Sequence, residues 1–221
     1  MTLANDSILV TPGSGATVAT HLVGGKEYQV VLVAGDGGHI LGTKPSYFLW
    51  APKVAVGANK LHLDFFNATG SGKVIEINGI WCIPAQDVAV VGVLGVEVDL
   101  YRTSAVGTGG TAALIDRVNQ TTIAFSKKDT ANAAIPAQIT ARAVPTGGAT
   151  IAAMYFGQYL FTEEGSMAMN AATAIGAFTN LLPEQRETQM LSIRENEGML
   201  FKQGAVAGVG SLAWLIDFSL I

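Results

Sequence analysis

The sequence predicts an all-β protein, a sandwich or a barrel. Apolar and polar residues alternate with period two in segment after segment, and glycine-centred turns separate those segments. Many short strands joined by Gly/Pro turns are the pattern of two packed sheets or a closed one. The 221 residues suit one large all-β domain, with enough chain to bury a core without a disulfide or a metal.

The elements follow in order. "YQVVLVA" (28–34) is the first strand candidate. "KLHLDFF" places Leu61, Leu63 and Phe65 on one face and His62 and Asp64 on the other. "KVIEING" follows, its Asn78-Gly79 fitting a tight turn or a bulge. "VEVDLYR" turns Val96, Val98 and Leu100 inward and Glu97 and Asp99 outward. "AQITARAV", "AAMYFGQYLF" and "GMLFKQGAV" are further strands. "SLAWLIDFSLI" puts Leu212, Trp214, Ile216, Phe218 and Leu220 on one face. The chain stops within that run, so the strand is expected inside its sheet; an exposed edge ending this way would invite aggregation. The turns "TPGSGAT", "AGDGGH", "TGSGK", "GTGGT" and "PTGGAT" supply the positive φ angles that tight turns need.

One stretch departs from the pattern. From Glu163 to Gln189 the chain is rich in Ala and Met and poor in β-branched residues. Ser166 can cap a short helix running to about Phe178, and Pro183 ends any helical tendency. No Ser- or Pro-rich linker separates two domains. The expected organisation is a single domain over 1–221, with 1–11 as an N-terminal arm and 163–189 as an inserted excursion.

Charge narrows the function. The net charge is -4 and the pI about 5.3, with no basic run beyond Lys127-Lys128, so neither nucleic acid nor an anionic membrane is an expected partner. The N-terminus lacks a charged and apolar secretory leader, and no apolar stretch approaches a transmembrane helix. Charged residues are 14%, against about 25% in ordinary soluble domains, and the mean hydropathy is +0.38. Such a surplus of apolar surface is expected at subunit interfaces.

"NATGSGKV" (67–74) looks like a phosphate loop, but its first Gly position is Asn67, Val74 follows Lys73, and the next residues form a strand. A hairpin turn between "LHLDFFNA" and "KVIEINGIW" is expected instead, with no nucleotide. Cys82 is the one cysteine, in an apolar run, and reads as a buried small hydrophobe rather than a nucleophile. His21, His39 and His62 have no metal-ligand spacing. A cation site would need Asp64 and His62 to join Glu97 and Asp99; a solvated sheet face is the simpler reading. Tyr47, Phe48, Trp50, Tyr155, Phe156, Tyr159 and Phe161 could line a glycan groove, with core or interface packing favoured by their alternation. Asn67 and Asn119 match the glycosylation pattern by coincidence. No nucleophile elbow is present; Asp116, Glu163 and Glu164 are the loop acids a carbohydrate-active enzyme would use. No catalytic, cofactor or metal site is expected.

"TPGSGATVATHLVGGKEYQVVLV", "VEVDLYRTSAVGTGGTA", "IPAQITARAVPTGGAT" and "SIRENEGMLFKQGAVAGVGSLAWLIDFSLI" resemble, in order, segments of structural proteins of tailed bacteriophages. The closing segment is similar to the last two strands of a jelly roll. The resemblance implies a jelly-roll virion protein, commonly trimeric, assembled in the host cytoplasm. The expected function is a non-enzymatic decoration or cement protein that binds the phage head as an oligomer, with the major capsid protein or neighbouring virion proteins as partners. Residues 1–11 and 163–189 are its candidate contact segments. A tail or fibre module recognising host glycan is the alternative; a major shell protein is a further one.

Overall fold

The computed structural model describes residues 19–23, 26–30, 44–85, 94–116, 118–162, 179–182, 190–208 and 210–221. The chain divides into two compact units, Met1–Thr43 and Lys44–Ile221. In the first, β1 (Ala19–Val23) and β2 (Lys26–Val30) form an antiparallel pair. The expected strand at 28–34 therefore begins within β2, and the arm at 1–11 lies outside the described residues.

The second unit is all-β, and its described residues contain no helix. Its elements are β3 (Ser46–Ala55), β4 (Leu61–Asn67), β5 (Ile75–Ala85), β6 (Leu94–Ala105), β7 (Thr111–Ala112), β8 (Leu114–Ile115) and β9 (Ala124–Lys127). There follow β10 (Ile139–Ala143), β11 (Thr150–Thr162), β12 (Thr179–Asn180), β13 (Leu191–Ile193), β14 (Glu197–Gln203) and β15 (Ser211–Leu220). One sheet has the order β11-β6-β14-β4-β10-β7, the other β12-β5-β15-β3-β9-β8, with β13 also on β5.

Set aside β7 to β10, which arise from one insertion between β6 and β11, and a jelly roll remains. One sheet keeps β3, β15, β5 and the split strand β12/β13; the other keeps β4, β14, β6 and β11. The chain switches sheets at nearly every connection, and its last two strands insert between earlier ones. The strand β15 lies inside its sheet, between β3 and β5, as expected. Of the 163–189 excursion, the structure describes 179–182, where β12 pairs with Trp81 and Cys82 of β5. The helix expected at 166–178 lies outside the described residues.

Alternation decides which side chains meet between the sheets. Val96, Val98 and Leu100 are buried, as are Leu212, Trp214, Ile216, Phe218 and Leu220. Phe218 stacks on Tyr47 at 5.5 Å between centroids and meets Phe65 edge-on at 5.1 Å, geometries that add to burial. In β5 the inward parity changes from Ile75 and Ile77 to Ile80 and Cys82. The cause is a bulge: Asp217 pairs with Gly79 and Phe218 with Ile77, leaving Asn78 unpaired. Its amide donates to Asp217 Oδ1 at 3.0 Å and Ser219 Oγ at 2.9 Å, holding the bulge against β15.

Candidate functional site

The segment 67–74 corrects one expectation. It is a corner rather than a hairpin: β4 and β5 belong to different sheets and do not pair. Glycine turns report a reversal but not which strands will partner afterwards. Val74 instead exchanges both backbone hydrogen bonds with Ile221, at 2.9 and 3.1 Å. Gly70 and Gly72 have φ of 85° and 62°, which glycine adopts without strain. The loop does hold an anion, but the anion is the chain's own. The Gly72 N–H donates to Glu195 Oε1 at 2.7 Å, and the Ser71 hydroxyl to the same oxygen at 3.3 Å. The Gly72 N–H, and next the Gly70 N–H, hold the Glu195 carboxyl below the usual carboxylate range. Asn67 is buried, its amide donating to the carbonyls of Lys73 and Ile193. Asn119 spends its Oδ1 on the backbone N–H and hydroxyl of Thr121.

His62 and Asp64 bring a second correction. Neither lies on a solvated face; each is 1% exposed. Leu63 pairs with Phe201 and Leu61 with Lys202, so a bulge on β4 isolates His62. Its ring meets Trp214 of the opposite sheet edge-on at 6.1 Å. Burial pulls the imidazole down to about 4, against the Gln203 amide oxygen 3.4 Å from Nε2, so it is neutral at pH 7. Asp64 is covered by the connection after β6: its Oδ2 accepts the Gly107 N–H at 2.6 Å, while Oδ1 is buried without a partner. Burial pushes this carboxyl up to about 6, opposed by the Gly107 N–H and by Arg142. Glu97 and Asp99 do not join them, and no cluster of three His, Cys, Asp or Glu side chains that could hold a metal occurs among the described residues.

Cys82 is 1% exposed, and burial pushes its thiol up to about 12, so it packs as a hydrophobe. The aromatics do not converge on one groove. Tyr47 is in the core with its hydroxyl on the Ala133 carbonyl. Phe48 lies under the Lys128 ammonium at 4.6 Å, and Trp50 donates to the Gln120 carbonyl. Tyr155 binds Arg102; the side chains of Phe156, Tyr159 and Phe161 lie outside the described residues. Asp116 is exposed with a φ of 69°; Glu163 and Glu164, like His21's side chain and His39, are not described.

No protein family, curated protein or solved structure matches this chain.

Two features escape the sequence reading. The first is an apolar edge. β7 and β8 end the two sheets on the same side, and Leu114, Ile115 and Val118 are 49%, 58% and 83% exposed there. A slot of about 220 Å³ adjoins Ile115, with Phe125, Ile135 and Pro136 also in its wall. The second is a polar group at the mouth of the sandwich, where Arg102 Nε donates to the Tyr155 hydroxyl at 2.8 Å and Nη1 lies 3.4 Å from Glu197 Oε1. Inward parity, continued past Leu100, was the signal for Arg102.

Proposed function

We propose that this protein is a non-enzymatic structural protein of a tailed-phage virion, decorating the head shell as a homo-oligomer. The observation that carries the reading is the apolar edge at Leu114, Ile115 and Val118. Leu114, Ile115 and Val118 are exposed close together in the chain, around the exposed Asp116, and Ile115 lines an apolar slot, which supports an association surface at this edge. The occupant is a second copy of this chain. Closed symmetry repeats one patch on every copy, so a short edge suffices once it recurs around an axis. The low charge content adds to this, because interface cores are depleted in charged residues. The jelly roll suits the role by placing each strand edge at a defined position on a stiff body, and the phage assignment itself rests on the sequence resemblance.

The test has two readings. The native mass of the purified chain, by size exclusion with light scattering, is expected near three times 22.9 kDa. Mass spectrometry of purified phage particles, with heads and tails separated, is expected to find the chain on heads. A monomer sinks the association surface, and a chain found only on tails sinks the decoration role.

A further inference from the structure

The inner row of β6 runs Val96, Val98, Leu100 and then Arg102. The inner row of β14 runs from the buried Gln203 through Phe201 and Met199 to Glu197. Past Leu100 and Met199 both rows end at the same mouth of the sandwich in a partly exposed arginine and glutamate that pair with each other. Opposite them is β13, which pairs with β5 of the other sheet. Between lies a cleft of about 310 Å³ lined by Arg102, Met190, Leu191, Ser192, Arg194 and Glu197.

The cleft is built rather than incidental. The Tyr155 hydroxyl takes Arg102 Nε, and the Tyr155 ring centroid lies 5.1 Å from the guanidinium carbon. Glu197 Oε1 faces Nη1, and its Oε2 accepts the Arg194 backbone N–H at 2.9 Å. Arg102 is thereby fixed in plane, as recognition of an oxyanion requires. The Arg194 side chain is exposed, and no hydrogen bond or ion pair holds its guanidinium among the described residues. Ser192 donates its proton to the Met190 carbonyl, leaving its oxygen as an acceptor.

This inventory selects a ligand. Two guanidiniums against one carboxylate leave one positive charge, which suits a monoanion. A dianionic phosphate would face Glu197 across the cleft, whereas hydroxyl groups would donate to it. Met190 and Leu191 offer apolar surface for C–H groups. The volume is at the small end of ligand pockets, enough for one compact residue. We propose that this cleft binds a carboxylate-bearing sugar residue, a uronic acid or a related acidic monosaccharide. Its carboxylate lies on Arg102 and Arg194, and its hydroxyls meet Glu197 and Ser192. An acidic amino-acid side chain shares the carboxylate but has no hydroxyls for Glu197. The assignment does not depend on the assembly reading, since Arg194 lies away from the residues of the apolar edge in sequence and is not needed for their exposure.

The test is calorimetric titration of the full chain with D-glucuronate, N-acetylneuraminate, D-glucose, N-acetylglutamate and inorganic phosphate. Saturable binding of either acidic sugar with none of D-glucose is expected. Arg194→Gln, an exposed position whose change leaves the fold alone, should weaken it about tenfold, and Glu197→Gln should weaken the sugar while strengthening N-acetylglutamate, a dianion whose repulsion from Glu197 it removes. No binding of either acidic sugar overturns the proposal. So does equal affinity for N-acetylglutamate or phosphate, or an unchanged affinity in Arg194→Gln. The native mass of Arg194→Gln keeps this result separate from any failure of the assembly reading.

Discussion

The Glu195 carboxylate accepts the Gly72 backbone N–H at 2.7 Å, and so a loop with the look of a phosphate binder closes on its own chain. This contact joins the corner between β4 and β5 to the turn before β14. A depressed carboxyl contributes stability above its unfolded value and loses it as pH falls through the folded one. The protection factor of the Gly72 amide, its exchange relative to a free peptide at the same pH, should therefore be high near neutrality and fall once the pH drops below the usual carboxylate range. Glu195→Gln should lower that protection factor at pH 7 and remove its fall with pH. Amide exchange by NMR reads both; equal exchange in the two proteins would refute the contact.

Legibility in the sequence followed the range of the cause. Parity along β6 and β15 is a local pattern of residue types, and the Asn-Gly pair at 78–79 is a local sign of a bulge, although the strands that β15 and the bulge pair with lie far off in the chain. His62 and Asp64 were misplaced because what covers them is remote: Trp214 for one, the Gly107 N–H for the other. A period-two rule assumes a regular ladder, and the bulge opposite Phe201 breaks it at His62. The corner at 67–74 was read as a hairpin because its glycines specify φ, not the sheet of the next strand. Arg102 lay in view at an inward position, but its partner Tyr155 is on β11, 53 residues away in sequence.

His62 and Asp64 should pull stability in opposite directions over one pH window. Burial raises Asp64 to about 6. Its contribution is full below the unfolded value of about 3.9 and is lost as pH rises through about 6. Burial lowers His62 to about 4. The unfolded imidazole, near 6.5, binds protons that the folded one refuses, so its contribution is lost as pH falls from about 6.5 towards 4. Asp64→Asn keeps an acceptor for Gly107 and removes the buried charge. It should be more stable than the parent at pH 7.5 by about 1–3 kcal/mol, with a difference about a third as large at pH 4.5. Urea melts of both proteins at the two pH values check this; an equal difference at both would refute it.

Cys82 should report opening of the middle of β5. The residue is 1% exposed and its thiol pushed up to about 12, so both access and thiolate supply are denied to a reagent. A disulfide reagent at pH 8 should leave the native protein unlabelled over minutes and label it at once in urea. Cys82→Ala should cost about 1–2 kcal/mol, as a small core truncation, and Cys82→Asp far more, since it would bury a charge between Trp214 and its neighbours on β15. Rapid labelling without denaturant would show that β5 opens locally.

Ile115→Asp should separate association from folding. The side chain is 58% exposed at the end of a sheet, so its loss from the isolated fold should fall within about 0.5 kcal/mol. At an interface the same change would bury a carboxylate against the apolar wall of the neighbouring slot, where Arg142 is the one cation among the described lining residues. The expected outcome is a fall in native mass to 22.9 kDa with the melting temperature extrapolated to low concentration unchanged. Val118→Ser, at 83% exposure, should weaken association without adding a charge and give an intermediate, concentration-dependent mass. An Ile115→Asp protein that keeps the parent's mass would move the association surface elsewhere on the jelly roll. A loss of mass accompanied by unfolding would mean instead that β8 secures the edge of its own sheet.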